Sequence, residues 1–313
     1  MYYIGIDLGG TNIAAGVVDE KGNIKSTCST PTLKERHYEE IIDDMAKMAL
    51  LAVEKAGLTM NDIESVGIGC PGVVDNKEGI IKHLSNMGMT NVPLRKLMEE
   101  KLGKKIAIDN DANAAALGEY KLYGDGCSSF IFVTLGTGIG GGIVINGKIY
   151  SGFNGAGAEL GHMGIVADGI SCPCGCKGCW EQYGSVTALV NLTKEAIKNN
   201  PESEMAKYAE KQGKVNGRTA FDCAKKGDSV AKNVVDTYIK YIGYGLISII
   251  NIFQPEKIVI GGGISKEGDY LLNPLREIVY ACKYNNYVEK TKLEIAKLYN
   301  DAGIIGAAFC AVE

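Results

Sequence analysis

The chain opens on an apolar run from Tyr2 to Asp7, a glycine-rich turn, a second apolar run ending at Val18, and the polar turn Asp19-Glu20-Lys21-Gly22-Asn23. Apolar runs punctuated in this way predict a strand, a tight turn, a strand and another turn. The pattern returns at Phe130 to Thr134, which leads into the glycine-rich segment Leu135 to Gly142, then Ile143-Val144-Ile145 and the turn Asn146-Gly147. The two halves of the chain thus begin with the same hairpin. Between them, His37 to Ala56 has helical periodicity, Ser65 to Cys70 and Lys105 to Ile108 read as short strands, and Asp111 to Tyr123 is alanine-rich and helical. The second half carries a polar helical stretch from Val186 to about Lys240, the apolar Tyr241 to Phe253, the strand Lys257 to Ile260 and the turn Gly261-Gly262-Gly263. Helices alternating with strands predict an α/β architecture with mainly parallel central strands and antiparallel hairpins at one edge.

Composition narrows the function classes. With 313 residues, 46% hydrophobic and 22% charged, the chain can bury a sizeable core and is expected to form two domains. A net charge of -4 without any concentration of Lys and Arg argues against nucleic acid or anionic membrane as a partner. Met1 leads straight into the first strand, without a secretory segment, so a cytoplasmic location is expected. The longest apolar run, Gly243 to Phe253, is too short to span a bilayer and ends at Gln254-Pro255, which reads as a buried helix. Four of the ten cysteines fall between Cys172 and Cys179, a spacing that suits metal better than disulfides. The other six are scattered and are read as small hydrophobes.

Asp7-Leu8-Gly9-Gly10-Thr11 lies between two strands, where glycines let backbone N–H groups turn toward a phosphate, Thr11 adds a hydroxyl and Asp7 can hold magnesium through water. A plain hairpin turn is the alternative for this segment alone. Its repetition at Gly136 to Gly142 favours two loops serving one polyphosphate. Gly136, Gly138 and Gly141 also fit the dinucleotide pattern GxGxxG, but the strand expected at Ile143 to Ile145 stands where that fold needs a helix. Gly261-Gly262-Gly263 permits close approach of a flat group such as adenine, or is merely a flexible turn. In Asp109-Asn110-Asp111-Ala112-Asn113, at the end of a strand, Asp111 is a candidate general base for a hydroxyl attacking a terminal phosphate, with Asn110 on a neighbouring hydroxyl. The competing reading makes Asp111 a helix N-cap.

Glu159-Leu160-Gly161-His162 precedes Cys172-Pro173-Cys174-Gly175-Cys176-Lys177-Gly178-Cys179-Trp180-Glu181. One imidazole and three thiolates fill a tetrahedral zinc site without leaving a position for water, so such a site is structural; four cysteines alone are the alternative. Glu159 and Glu181 flank these ligands, either as acceptors for sugar hydroxyls or as solvated surface residues.

As an ordered set these motifs, with Gly69-Cys70-Pro71-Gly72-Val73-Val74-Asp75, Leu84-Ser85-Asn86-Met87 and the ending Trp180-Glu181-Gln182-Tyr183, resemble the ROK family (repressor, open reading frame, kinase), above all its bacterial glucokinases. The resemblance covers essentially the whole chain. It implies a two-lobed actin/hexokinase-like (ribonuclease H-like) ATPase fold with duplicated hairpin-led domains. We expect the lobes at 1–118 and 119–300, the second holding the zinc site, with a C-terminal helix at about 301–313 packing back on the first. The resemblance implies Asp111 as base, with Asn86, Asn110, Asp111, Glu159, His162 and Glu181 on the sugar. ATP would lie on Gly9, Gly10, Thr11, Thr137, Gly138, Gly262 and Gly263, with Mg2+ at Asp7. The family's CxCGxxGC maps onto Cys172, Cys174 and Cys179, with His162 as fourth zinc ligand and Cys176 at a variable position. The expected activity is ATP-dependent phosphorylation of a hexose, glucose first, through its 6-hydroxyl. N-acetylglucosamine, mannose, N-acetylmannosamine or fructose as acceptor, and polyphosphate as donor, stay open. A non-catalytic sugar sensor is the alternative outside enzymes. ROK repressors carry an N-terminal DNA-binding helix-turn-helix, for which a first strand at Tyr2 leaves no room. A homo-oligomer, dimer or tetramer, is expected. Finally, the ATP turns are expected to be held by their own strands, independently of the cysteine cluster.

Overall fold

The computed structural model describes residues 1–282 and 286–312. In chain order it runs β1 (Tyr2–Leu8), β2 (Asn12–Asp19), β3 (Ile24–Pro31), α1 (Tyr38–Lys55), β4 (Ile63–Cys70), β5 (Val73–Asp75), β6 (Ile80–Leu84), β7 (Met89–Val92), α2 (Leu94–Leu102), β8 (Ile106–Asn110) and α3 (Asp111–Tyr123). It continues with β9 (Ser129–Leu135), β10 (Ile139–Ile145), β11 (Lys148–Ile149), α4 (Glu181–Gly184), α5 (Val186–Asn199), α6 (Glu204–Gln212), α7 (Thr219–Ala224) and α8 (Ser229–Phe253). It closes with β12 (Lys257–Gly261), α9 (Asp269–Tyr280), β13 (Lys292–Ile295) and α10 (Ala302–Cys310).

Two compact units result. The first comprises Met1–Phe132, Gly142–Ala158 and Lys297–Glu313; the second comprises Val133–Gly141 and Glu159–Ala296. Residue 313, at the end of the predicted C-terminal helix, lies outside the described residues. The predicted boundary at 118/119 falls inside α3, a single helix whose Leu117 shares a core with Ile304, Ile305 and Phe309 of α10. A division there would cut a helix packed on α10, and the first unit extends to Phe132.

In the first unit the sheet order is β3-β2-β1-β4-β8, antiparallel on the β3 side and parallel from β1 through β4 to β8. Register aligns Asp7 with Gly69 and Gly69 with Asp109, so the C-terminal ends of three parallel strands bring Asp7 and Asp109 to one edge. That edge is where open α/β sheets present ligand-binding groups. Helix α10 lies directly on this sheet: a Cβ on Gly5 of β1 or Gly67 of β4 would overlap the carbonyl of Ile304 or Ala307. A second core forms between β1, β4, β8 and α1, around Ile4, Ile6, Ile41, Met45, Val66, Ile68 and Ile108. A small antiparallel sheet, β5-β6-β7, completes the unit.

The second sheet has the order β11-β10-β9-β12-β13, with β12 and β13 parallel and β10 and β11 antiparallel. In the second unit α8 is the main core helix. The carboxylate of Asp228 caps it, accepting from Val230 N at 2.8 Å and Ala231 N at 3.1 Å. It stops at Gln254, whose positive φ of 42° precedes Pro255. Among the described residues no helix is long and apolar enough to cross a membrane.

Four details differ from the sequence pattern. Glycines 140–142 belong to β10, so the second turn is only Gly136–Gly138. The polar stretch after Val186 is broken into α5, α6, α7 and the start of α8, with Ser185, Ser203 and Asp228 as new caps. The apolar run ending at Phe253 is the last half of α8, and one of its residues, Ile252, is 67% exposed. Strand β3, largely polar because it is a half-exposed edge, and the short β5 to β7 carry too little periodicity to be predicted.

Candidate active site

In the first unit, the turn after β1 is closed by Gly9 N–H donating to Asn12 O at 2.9 Å. Thr32, fully buried, braces it by donating its hydroxyl to Gly9 O at 2.7 Å, while its N–H reaches Thr11 O at 2.8 Å. Thr32 carries no local signal, because it meets the turn only through strand pairing. Gly9 and Gly10 are partly exposed and Thr11 is exposed, so the turn offers its backbone to solvent. Asn86, in the β6–β7 connection, approaches it: a Cβ on Gly10 would lie 3.3 Å from Asn86 Nδ2.

At the neighbouring edge, Asn110 rather than Asp111 is the N-cap of α3, correcting the competing N-cap reading. Its Oδ1 accepts from Ala112 N at 2.9 Å and from Asn113 N at 3.3 Å, and its Nδ2 donates to Gly72 O at 3.1 Å. Asp111 is the first helical residue, partly exposed, with Oδ1 accepting from Ala112 N at 2.9 Å. Burial raises the Asp111 pKa above the usual carboxylate range. Asp7 is raised to about 6, by burial first and then by the nearby charge of Asp111. Cys70, wholly buried beneath them, is held as the thiol by burial and by the charges of Asp111, Asp109 and Asp7. An electronegative sheet edge with perturbed carboxylates suits proton abstraction and divalent cations.

In the second unit the 3-10 turn Leu160–His162 and the hairpin-like segment from Cys172 to Cys179 converge. Gly164 bridges Cys179, Ser171 bridges Lys177, and Trp180 N–H donates to Met163 O at 2.8 Å. One donor atom from each of His162, Cys172, Cys174 and Cys179 lies within 4.8 Å of all the others. His162 Nδ1 and Cys172 Sγ are 3.7 Å apart, and the sulfurs of Cys174 and Cys179 are 3.6 Å apart. Tetrahedral zinc with Zn–S near 2.3 Å has ligand–ligand edges of about 3.8 Å, so these four residues fit such an ion. Cys176 stands outside this set. The Cys174 thiol is lowered to about 7, chiefly by the backbone N–H of Cys176, whereas burial pushes Cys179 up to about 12. Gln182, which lies in the Trp180–Tyr183 motif but has no role assigned there, donates Nε2–H to Cys172 Sγ at 3.6 Å.

The segment that follows the cluster is joined to the Gly136–Gly138 turn. Trp180, fully buried, donates its indole N–H to Tyr241 O of α8 at 2.9 Å. Glu181 follows, and its Oε2 accepts from Ile139 N at 2.9 Å beside Gly138, where any Cβ would overlap the carboxylate. Val186 N–H donates to Gly136 O at 2.8 Å and Thr187 Oγ1–H to Thr137 O at 2.7 Å. The turn is therefore fastened to α4 and α5 as well as to its own strands, contrary to the expected independence. Strand β10 follows it, which leaves no helix N-terminus for a dinucleotide pyrophosphate. Gly262, with φ of 82°, packs so that a Cβ would overlap Leu135 O, whereas Gly263 faces open space. Glu159 is exposed at the N-terminus of the Leu160–His162 turn.

Comparison with known proteins gives these motifs a family. A glucokinase of Halalkalibacterium halodurans is 36% identical over 310 residues, covering 98% of this chain and 94% of that protein. A glucokinase of Streptomyces coelicolor is 39% identical over 315 residues, covering 99% and 97%. Among solved structures, a ROK family glucokinase from Streptomyces griseus in complex with glucose and AMPPNP superposes with a TM-score of 0.85 at 36% identity, covering 100% of this chain and 99% of that one. Residues 3–313 match the ROK family, and the chain belongs to it.

Proposed function

We propose that the protein transfers the terminal phosphoryl group of ATP to a hexose, glucose in the first place, with the 6-hydroxyl as nucleophile. The observation that carries this reading is Asp111: a carboxylate at the first turn of α3, raised by burial, beside a second raised carboxylate on the adjacent parallel edge. Such a group accepts a hydroxyl proton as the oxygen attacks phosphorus. Its Oδ1 is anchored on Ala112 N–H, and the other oxygen takes the proton. Asn110 spends its oxygen on the helix cap and one N–H on Gly72, and its second N–H serves a sugar hydroxyl.

Asn86 in the first unit, and Glu159, His162 and Glu181 in the second, are assigned to further sugar hydroxyls. The turns Gly9-Gly10-Thr11 and Thr137-Gly138, with Gly262 and Gly263, are assigned to ATP. Asp7 would hold Mg2+, which when bound neutralises charge on the phosphates during transfer. His162, Cys172, Cys174 and Cys179 would hold one structural Zn2+, which cross-links the loop that ends at Glu181. The glucokinase relatives and the glucose and AMPPNP complex of the Streptomyces griseus protein support ATP and glucose as the substrate pair. A coupled assay of ADP formation across glucose, mannose, fructose, N-acetylglucosamine and N-acetylmannosamine tests the reading. It predicts turnover with glucose above the others; measurable glucose binding without turnover of any hexose would point to a sugar sensor instead.

A further inference from the structure

One buried carboxylate has no part in the chemistry just assigned. Asp109 is the penultimate residue of β8, immediately before Asn110 and Asp111, and is only 7% exposed. Both its oxygens are occupied: Oδ1 accepts from Asn110 N at 2.7 Å and from Asn113 Nδ2 at 2.9 Å, and Oδ2 accepts from Asn76 Nδ2 at 3.2 Å. Burying a carboxylate without a cationic partner is costly, and these N–H donors offset the loss of water only partly. The Oδ1 of Asn113 is buried without a hydrogen-bond partner, so that amide is oriented to serve Asp109 at its own expense.

The three donors come from different places. Asn113 and Asn110 belong to the start of α3, whereas Asn76 immediately follows β5. The next residue of the junction grips the other end of the same strand, since Asn110 Nδ2 donates to Gly72 O just before β5. Two successive side chains, Asp109 and Asn110, therefore hold β5 at both ends against the first turn of α3. Strand β5 pairs with β6, whose far end leads to Asn86. Its other side receives the loop before Glu159: a Cβ on Gly155, where φ is 81°, would lie against Val74 O. Arg95 secures the Asn76 turn from behind, donating to the carbonyls of Asn76, Lys77 and Ile106.

We infer that Asp109 is a positioning residue, a buried clamp that fixes β5 against the α3 first turn and so sets where Asp111, Asn110 and Asn86 meet the sugar. Its bearing on sugar rests on the kinase reading above; the clamp itself does not. Misplacement of reacting groups by about 1 Å can cost up to about 100-fold in rate.

The test uses Asn76→Ala, Asp109→Asn and the double variant, with Asn76→Ala decisive because that side chain lies in a partly exposed turn. Asn76→Ala should lower kcat/KM for glucose about 10- to 100-fold, with ATP Kd within about twofold of the wild-type value. Added to Asp109→Asn, it should have no further effect, since both remove one contact. Hydrogen exchange at Ala112 and Asn113 N–H should speed up in Asn76→Ala, although the substitution lies more than thirty residues away in sequence, while α1 is unchanged. An unchanged kcat/KM with unchanged exchange, or effects that multiply in the double variant, would overturn the clamp. If the wild-type protein phosphorylates no sugar, the kinase reading fails, and exchange at α3 still decides the clamp.

Discussion

Asp7 of β1 and Asp111 of α3 stand so close that the charge of one raises the pKa of the other, and Asp7 titrates near 6. A carboxylate raised in the folded state holds its proton more tightly there than in the unfolded chain. The stability it contributes is present below the unfolded pKa of about 4 and lost as pH rises through about 6. Without added magnesium, Asp7→Asn should therefore stabilise the protein at pH 7.5 by about 1–3 kcal/mol, and the gain should vanish at pH 4. Chemical denaturation at the two pH values checks this; equal stability at both would mean that the pair carries no strain.

Gly262 and Gly263 look alike in sequence but not in place. Gly262→Ala meets both a positive φ and the Leu135 carbonyl, and should cost about 1–3 kcal/mol and lower Tm. Gly263→Ala has open space and should leave Tm unchanged while raising KM for ATP, because the added methyl enters the assigned nucleotide site. Thermal melts and ATP kinetics on the two variants separate the roles.

The cysteines divide in the same manner. Elemental analysis should find about one zinc per chain, kept in Cys176→Ser and lost in Cys174→Ser, since only Cys174 joins the converging four. The reverse result would remove the assigned ligand set.

Glu181 joins the segment after the cluster to the turn assigned to ATP, its carboxylate accepting from Ile139 N. Glu181→Ala should raise KM for ATP about tenfold as well as weakening sugar, and partial chelation of zinc should weaken both substrates together. Isothermal titration with ATP after chelation checks the coupling; an ATP Kd that stays constant while glucose affinity falls would show the tether to be idle.

Much of this was legible beforehand. The paired hairpins follow from apolar runs and glycine turns, which are local patterns, whereas the spacing of the cysteines leaves five candidates open and it is the family resemblance that implies the four side chains that converge. What the sequence concealed is long-range. Thr32 meets Gly9 only through the pairing of β2 with β3, and Asn76 meets Asp109 only because β5 lies beside β8. Asn110 takes the N-cap from Asp111 because Asp111 is already helical, which leaves the Asn110 side chain to accept from the free N–H groups of Ala112 and Asn113. Glu181 was assigned to sugar by its neighbours, yet its carboxylate is oriented by Ile139, more than forty positions away.

In the proposed reaction Asp111 accepts the proton during transfer of phosphate from ATP to glucose. Asp111→Asn keeps the side chain's shape and its bond to Ala112 N–H but cannot take the proton, so the most direct measurement is its rate of ADP formation beside its glucose Kd. The expected result is a kcat lower by about 10² to 10⁴ with glucose affinity near that of the wild-type protein. Near-wild-type turnover in the variant would contradict it.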